Sequence, residues 1–123
     1  MRVFVTKAFR RFQRKEGIDA LALCEAVARA ERGIIDADLG AGLIKQRVAR
    51  KGRGRSGGFR TIIAYRTAER SVFIYGFAKS RQANLNAADQ RDLADYGGML
   101  LRLDDDGIET IVAGDELKEI ACP

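Results

Sequence analysis

The first apolar cluster, Val3, Phe4 and Val5, is short enough for a strand, and the pattern after it changes to helical spacing. Thr6 is placed to cap a helix over 7–15, with Phe9 and Phe12 on one face and Gly17 as its stop. Asp19 caps a second helix over 20–32, on which Leu21, Cys24 and Val27 or Ala28 repeat, and Gly33 ends it. The short glycine-containing turn between the two predicts a helical hairpin. Residues 33–42 read as a loop of small residues. From 43 to 50 the pattern alternates, with Leu43, Lys45, Arg47 and Ala49 on one side and Ile44, Gln46, Val48 and Arg50 on the other, as in a strand. The segment RKGRGRSGG at 50–58 offers no apolar surface to bury and predicts an exposed, mobile loop. A second strand follows over 59–66, with Arg60 on the face of Ile62 and Ala64. A turn of hairpin length then leads to a strand over 71–78 that is apolar on both faces, as a central strand would be. Phe73, Tyr75 and Phe77 alternate along it and read as one core face, and Tyr65 and Tyr75 read as packed within the sheet.

The C-terminal third returns to helical spacing. Leu93, Tyr96 or Gly97, Leu100 and Leu103 form the stripe of a helix over 86–103, in which Gly97–Gly98 marks a kink or an early stop. A short helix over 105–113 turns Ile108, Ile111 and Val112 inward, Gly114 closes it, and 115–120 suits a short strand. The order β-α-α-β-β-β-α-α predicts an α+β fold. In it, a small antiparallel sheet packs against the N-terminal helical hairpin, with further helices at the C-terminal end. At 123 residues one domain suffices, with 1–103 as its minimal body and 104–123 as an extension of the same domain.

Charge sharpens this picture. The net charge is +5, but residues 1–82 carry 19 Lys/Arg against 7 Asp/Glu, and residues 83–123 carry 3 against 10. Between Asp38 and Glu69 there is no acidic residue, while Lys45, Arg47, Arg50, Lys51, Arg53, Arg55, Arg60 and Arg66 fall there among Gly52, Gly54, Gly57 and Gly58. A cationic segment flanked by strands suits a polyanion, because phosphate contacts supply most sequence-independent affinity for nucleic acid. The chain has no histidine, which excludes imidazole acid–base chemistry and Ser–His or Cys–His pairs. Its two cysteines, Cys24 and Cys122, lie far apart without metal-ligand spacing, so Cys24 reads as a small core residue and Cys122 as free. No metal or cofactor is implied. No stretch approaches a membrane span and the N-terminus lacks the apolar run of a signal peptide, so a cytoplasmic protein is expected.

The run GLIKQRVARKGRGRSGGFRTIIAY, followed by VFIYGFAKSRQANLN, resembles the RelE/ParE superfamily of type II toxins, closest to its HigB-like RelE branch. The resemblance implies a small antiparallel sheet with two N-terminal helices. It also implies ribosome-dependent cleavage of mRNA in the A site, inhibiting translation, and neutralisation by a cognate helix-turn-helix antitoxin. By resemblance, Lys45 and Arg47 are the basic pair on the strand before the loop, with Lys45 the proton acceptor. Arg60 is then the phosphate-stabilising arginine, and Lys79 a further active-site cation. Arg50, Lys51, Arg53 and Arg55 would grip RNA, and DNA would be met only through the antitoxin complex. The chemistry is consistent with the residues: arginine stays charged and holds phosphate oxygens in a bidentate fork, while a lysine crowded by cations can act as a base. Where RelE has a tyrosine shortly after the last strand, residues 82–86 of this chain hold none. Other readings remain open. They are a ParE-like gyrase inhibitor, a non-catalytic RNA- or DNA-binding module, and a degenerate copy that keeps only antitoxin binding.

Overall fold

The structure, a computed structural model, describes residues 1–50, 54–78 and 84–123, with 54–57 as backbone. Six strands form one sheet in the order β2-β3-β4-β5-β1-β6. In chain order the elements are β1 (Arg2–Thr6), α1 (Lys7–Glu16), α2 (Ala20–Glu31), β2 (Ala37–Gly40) and β3 (Leu43–Arg50). There follow β4 (Gly54–Arg66), β5 (Arg70–Ala78), α3 (Ala87–Arg102), α4 (Asp105–Ala113) and β6 (Leu117–Ile120). The fold is mixed α+β.

Local chemistry sets the helix ends where the sequence places them. Thr6 Oγ1 accepts from the Phe9 amide, Asp19 from Ala22, Asn86 from Asp89 and Asp104 from Gly107, each relieving an unpaired first-turn donor. Gly17, at φ 66°, supplies the left-handed residue that ends α1. α1 packs on β5 and α2 on β3, so one sheet face carries a core of Val3, Val5, Phe9, Leu23, Val27, Ile44, Val48, Phe59, Ile63 and Phe73. α3 lies on β4 and β5 across the other face, over Phe4, Leu43, Ile62, Ala64, Val72, Ile74 and Leu100.

Several expectations are corrected. The sheet is not wholly antiparallel: β1 runs parallel to β5, Val3 opposite Ser71, and antiparallel to β6, Val3 opposite Ile120. Residues 33–42 are not all loop, since 37–40 pair with β3 as an edge strand. Most of 50–58 is strand as well, because β3 reaches Arg50 and β4 begins at Gly54. A two-stranded ribbon satisfies its own backbone and needs no apolar side chains to persist. Gly58 allows the bulge that joins this ribbon to the sheet, where a Cβ would collide with the Val48 carbonyl oxygen.

Leu21 does not belong to the α2 core stripe; it is 65% exposed, and Leu23, Cys24, Ala26, Val27 and Ala30 are buried instead. Nor do Gly97–Gly98 end or break α3. A Cβ at Gly97 would lie 3.0 Å from Leu43 Cδ2 and 3.1 Å from Ala64 Cβ, so the glycine lets the helix sit close on the sheet. Phe73, Tyr75 and Phe77 do not share a face. The register shifts from Ile62 opposite Tyr75 to Ile63 opposite Phe73, and this bulge turns Phe73 toward α1 while Phe77 joins the α3 side. Finally, Cys122 is not free. It is bonded to Cys24 across a separation of 98 residues, with Cα atoms 5.6 Å apart, because β6 carries the C-terminus past β1 to the side of α2.

Candidate functional site

Alternation along β3 turns Ile44, Gln46 and Val48 toward α2 and leaves Lys45 and Arg47 on the opposite face. There Arg47 stands opposite Arg60, and Arg60 opposite Phe77. The next row is Lys45 opposite Ile62 and Ile62 opposite Tyr75. α3 covers the Leu43–Ala64 end of this face. The segment leading into the helix walls a cleft of about 200 Å³, lined by Lys45, Ile62, Phe77, Leu39, Asn84, Leu85 and Gln90. Three predicted site residues, Lys45, Arg47 and Arg60, are thus brought onto one face of two neighbouring strands.

Their environments differ. Lys45 Nζ donates to Asn84 Oδ1 at 2.9 Å on the cleft wall. Arg60 Nη1 is buried and has no hydrogen-bond partner among the described residues. An unpaired buried cationic donor is costly, and two arginines opposed across neighbouring strands add repulsion. A bound anion would relieve both. Arg47 is partly neutralised. Its amide donates to Asp36 Oδ2 at 2.6 Å, and its guanidinium lies 3.3 Å from Asp36 Oδ1.

Asp36 and Arg29 are the site residues that the sequence reading missed. Past the end of β2 they take over its role at the β3 edge, Asp36 accepting the Arg47 amide and Arg29 Nη2 donating to the Arg47 carbonyl oxygen. Arg29 is itself buried, 2% exposed, and pairs with Glu25 at 2.9 Å and Asp36 at 3.3 Å. Gln46 steadies the same corner, accepting from the Asp36 amide at 2.7 Å and donating to the Ala26 carbonyl at 3.0 Å. The available signal was an arginine inside an apolar helical stripe, four residues after Glu25.

Partial burial alone would raise the Asp36 pKa. The hydrogen bonds from the Arg47 amide and from the Arg47 and Arg29 side chains outweigh it, and the carboxyl is held below its ordinary value. The sign follows from linkage: the folded state favours the ionised form, so this stabilisation is complete above about pH 4 and fades as pH falls through the lowered value. Asp36→Asn is therefore expected to flatten the acid limb of the stability profile, as read by urea unfolding between about pH 2 and 5. It should also loosen Arg47. An unchanged acid limb would contradict the assignment.

Arg50 lies on the other face, its guanidinium 5.1 Å from the Phe59 ring centroid. Lys51, Arg53 and Lys79 fall outside the described residues, as does the side chain of Arg55. Tyr75 is half-buried beside Phe77, ring centroids 6.0 Å apart, and Tyr65 packs against the α1–α2 core.

An open sheet face with a walled cationic cleft, and no carboxylate on Lys45 or Arg60 among the described residues, defines a small α+β protein suited to holding a polyanion. The chain belongs to the RelE toxin family: residues 1–120 match the family described as the RelE toxin of the RelE/RelB toxin–antitoxin system. It is a type II toxin with translation-inhibiting mRNA interferase function, and it pairs with an antitoxin. No curated protein matches it. Among the described residues no helix is long and apolar enough to cross a membrane.

Proposed function

We propose that this toxin, of the HigB-like RelE branch, cleaves mRNA in the ribosomal A site without a metal ion, using the Lys45–Arg60 cleft as its active site. The observation that carries this reading is the buried, unpartnered Nη1 of Arg60 on the same face as Lys45. A phosphate oxygen would complete that donor. Lys45, in its neutral form, takes the proton of the 2′-hydroxyl. The 2′-oxygen attacks the adjacent phosphorus, the 5′-oxygen leaves and takes up a proton, and a 2′,3′-cyclic phosphate remains. Arg60 stabilises the charge that builds on the non-bridging oxygens, and Arg47, positioned by Asp36, adds to that field. Lys79 is assigned as a further cation of the site. Arg50, Lys51, Arg53 and Arg55 are assigned to gripping RNA. Residues 1–103 carry this chemistry, and 104–123 complete the same domain. The antitoxin is of the helix-turn-helix kind, and the toxin works in the cytoplasm, where ribosomes are.

The charge of the cleft supports a metal-free route, since Lys45, Arg47 and Arg60 repel a divalent cation from the place where the phosphate would sit. Cleavage is expected to continue at its full rate in excess EDTA once ribosomes are kept intact by testing a pre-formed toxin–ribosome–message complex. Complete loss in that complex would contradict the proposal. The direct test is primer extension on a translated message and an untranslated one after induction. Cuts confined to the translated message support the reading, whereas growth arrest with intact mRNA and an SOS response would replace it with gyrase inhibition.

A further inference from the structure

The cationic surface of this protein is not confined to the cleft. α1 exposes Lys7, Arg11, Arg14 and Lys15, at helical spacings of four, three and one, so the four fall on one stripe of the helix. The stripe covers about 12 Å at 1.5 Å per residue. None of these side chains has an ion-pair partner among the described residues, although cations elsewhere do: Arg2 pairs with Glu109 and Glu119, Arg10 with Asp115, Arg29 with Glu25 and Asp36, and Arg66 with Glu69. The arrangement also works against the helix. Lys7–Arg11, Arg10–Arg14 and Arg11–Lys15 are like-charge pairs at i,i+4. The first turn holds no acidic residue, and Lys7 sits at the end of the helix where the macrodipole disfavours a cation. Local stability alone would not select this pattern.

The stripe continues beyond the helix. Phe12 of α1 meets Phe59 edge-on at 5.6 Å, and Arg50 lies over that same ring, so the base of the β3–β4 ribbon adjoins the C-terminal half of α1. Arg14 also lines a groove of about 500 Å³ between α1 and β6, to which Lys118 adds another cation. The whole surface lies on the α1 side of the sheet, whereas Lys45 and Arg60 face the α3 side.

We infer that the α1 face is a second RNA-binding surface, separate from the cleft, which grips the phosphate backbone of structured RNA while the opposite face works on the message. Charge complementarity commits the occupant to a polyanion. The reading above, that this toxin acts on the ribosome, identifies that polyanion as ribosomal RNA, and to that extent the inference rests on it. The face holds no pocket-like array of donors for base edges, so its contribution is affinity and orientation without sequence preference.

The test uses the full-length protein with Lys7, Arg11, Arg14 and Lys15 all changed to Gln, with circular dichroism to establish that α1 persists. The probes are naked small-subunit ribosomal RNA, duplex DNA of equal length, and the purified antitoxin, with binding measured between 50 and 300 mM salt. Removing four phosphate contacts should lower the slope of log K against log salt by about 3 and weaken RNA binding by at least tenfold near 150 mM. The double variant Lys45→Ala/Arg60→Ala should keep most of the wild-type affinity while losing cleavage. An unchanged slope in the quadruple variant overturns the inference, as does loss of antitoxin affinity with RNA affinity intact, which would make the face a protein-docking surface. Equal affinity for duplex DNA would reduce it to a non-selective polyanion surface and also overturn it. If wild-type protein cuts no message but still loses its RNA slope in the variant, the cleavage reading fails and the second surface stands.

Discussion

Arg60→Ala is expected to lower cleavage of a translated message by about 10²–10³-fold, the usual effect of removing one preorganised donor to a developing oxyanion. The guanidinium is placed by β4 between Arg47 and Phe77, and its Nη1 is buried without a partner. Alanine would remove both the donor and a source of repulsion against Arg47. Folded stability should therefore hold or rise even as activity collapses, and that opposition separates a catalytic cation from a structural one. Arg60→Lys should recover only part of the rate, because an ammonium cannot present two parallel donors to a phosphate. Lys45→Ala should give a loss of similar order and remove a basic limb from the pH–rate profile. Single-turnover cleavage on programmed ribosomes, beside urea melts of the same samples, decides the matter. Full activity in either variant at matched occupancy would place the chemistry elsewhere.

The second large effect is on stability. Cutting the Cys24–Cys122 bridge removes a closure spanning 98 residues, for which chain entropy predicts a loss of about 4–5 kcal/mol, with about 2–4 typical in practice. For a chain of this length that corresponds to a fall in Tm of roughly 10 °C. Cys122→Ala should melt at the temperature of the wild type in dithiothreitol, and reductant should not shift the variant further. Cleavage well below the transition should be untouched, because the bridge ties the C-terminus to α2, away from the Lys45–Arg60 face. Identical melting of wild type and variant without reductant would show that the bridge contributes nothing. The reduced form is also the relevant one wherever glutathione keeps thiols open.

Much of this was legible from local pattern. Thr6, Asp19, Asn86 and Asp104 marked the helix starts because capping is a short-range hydrogen-bond problem with a short-range answer. Alternation from Leu43 to Arg50 placed Lys45 and Arg47 together, and a second strand carrying Arg60 beside them followed from the same period of two. What escaped depends on partners distant in sequence. The parallel β1–β5 pairing, the meeting of Cys24 with Cys122 and the edge role of 37–40 leave no periodic signature. The Phe73–Tyr75–Phe77 reading failed on a single extra residue in β5, which moves one side chain to the other face. Asp36 was hidden because a carboxylate in an apparent loop gives no sign that a buried arginine 7 residues earlier will hold it.

The position of β1 has a consequence for when the toxin becomes harmful. Its two neighbours are β5 and β6, the last strands to be synthesised, so the first strand waits on a nascent chain with both of its edges unsatisfied. The site on β3 and β4 can be paired before then, but the layer that supports it cannot close until the final residues have left the ribosome that makes them. A toxin of ribosomes built in this order is thereby kept from maturing inside its own translating machine.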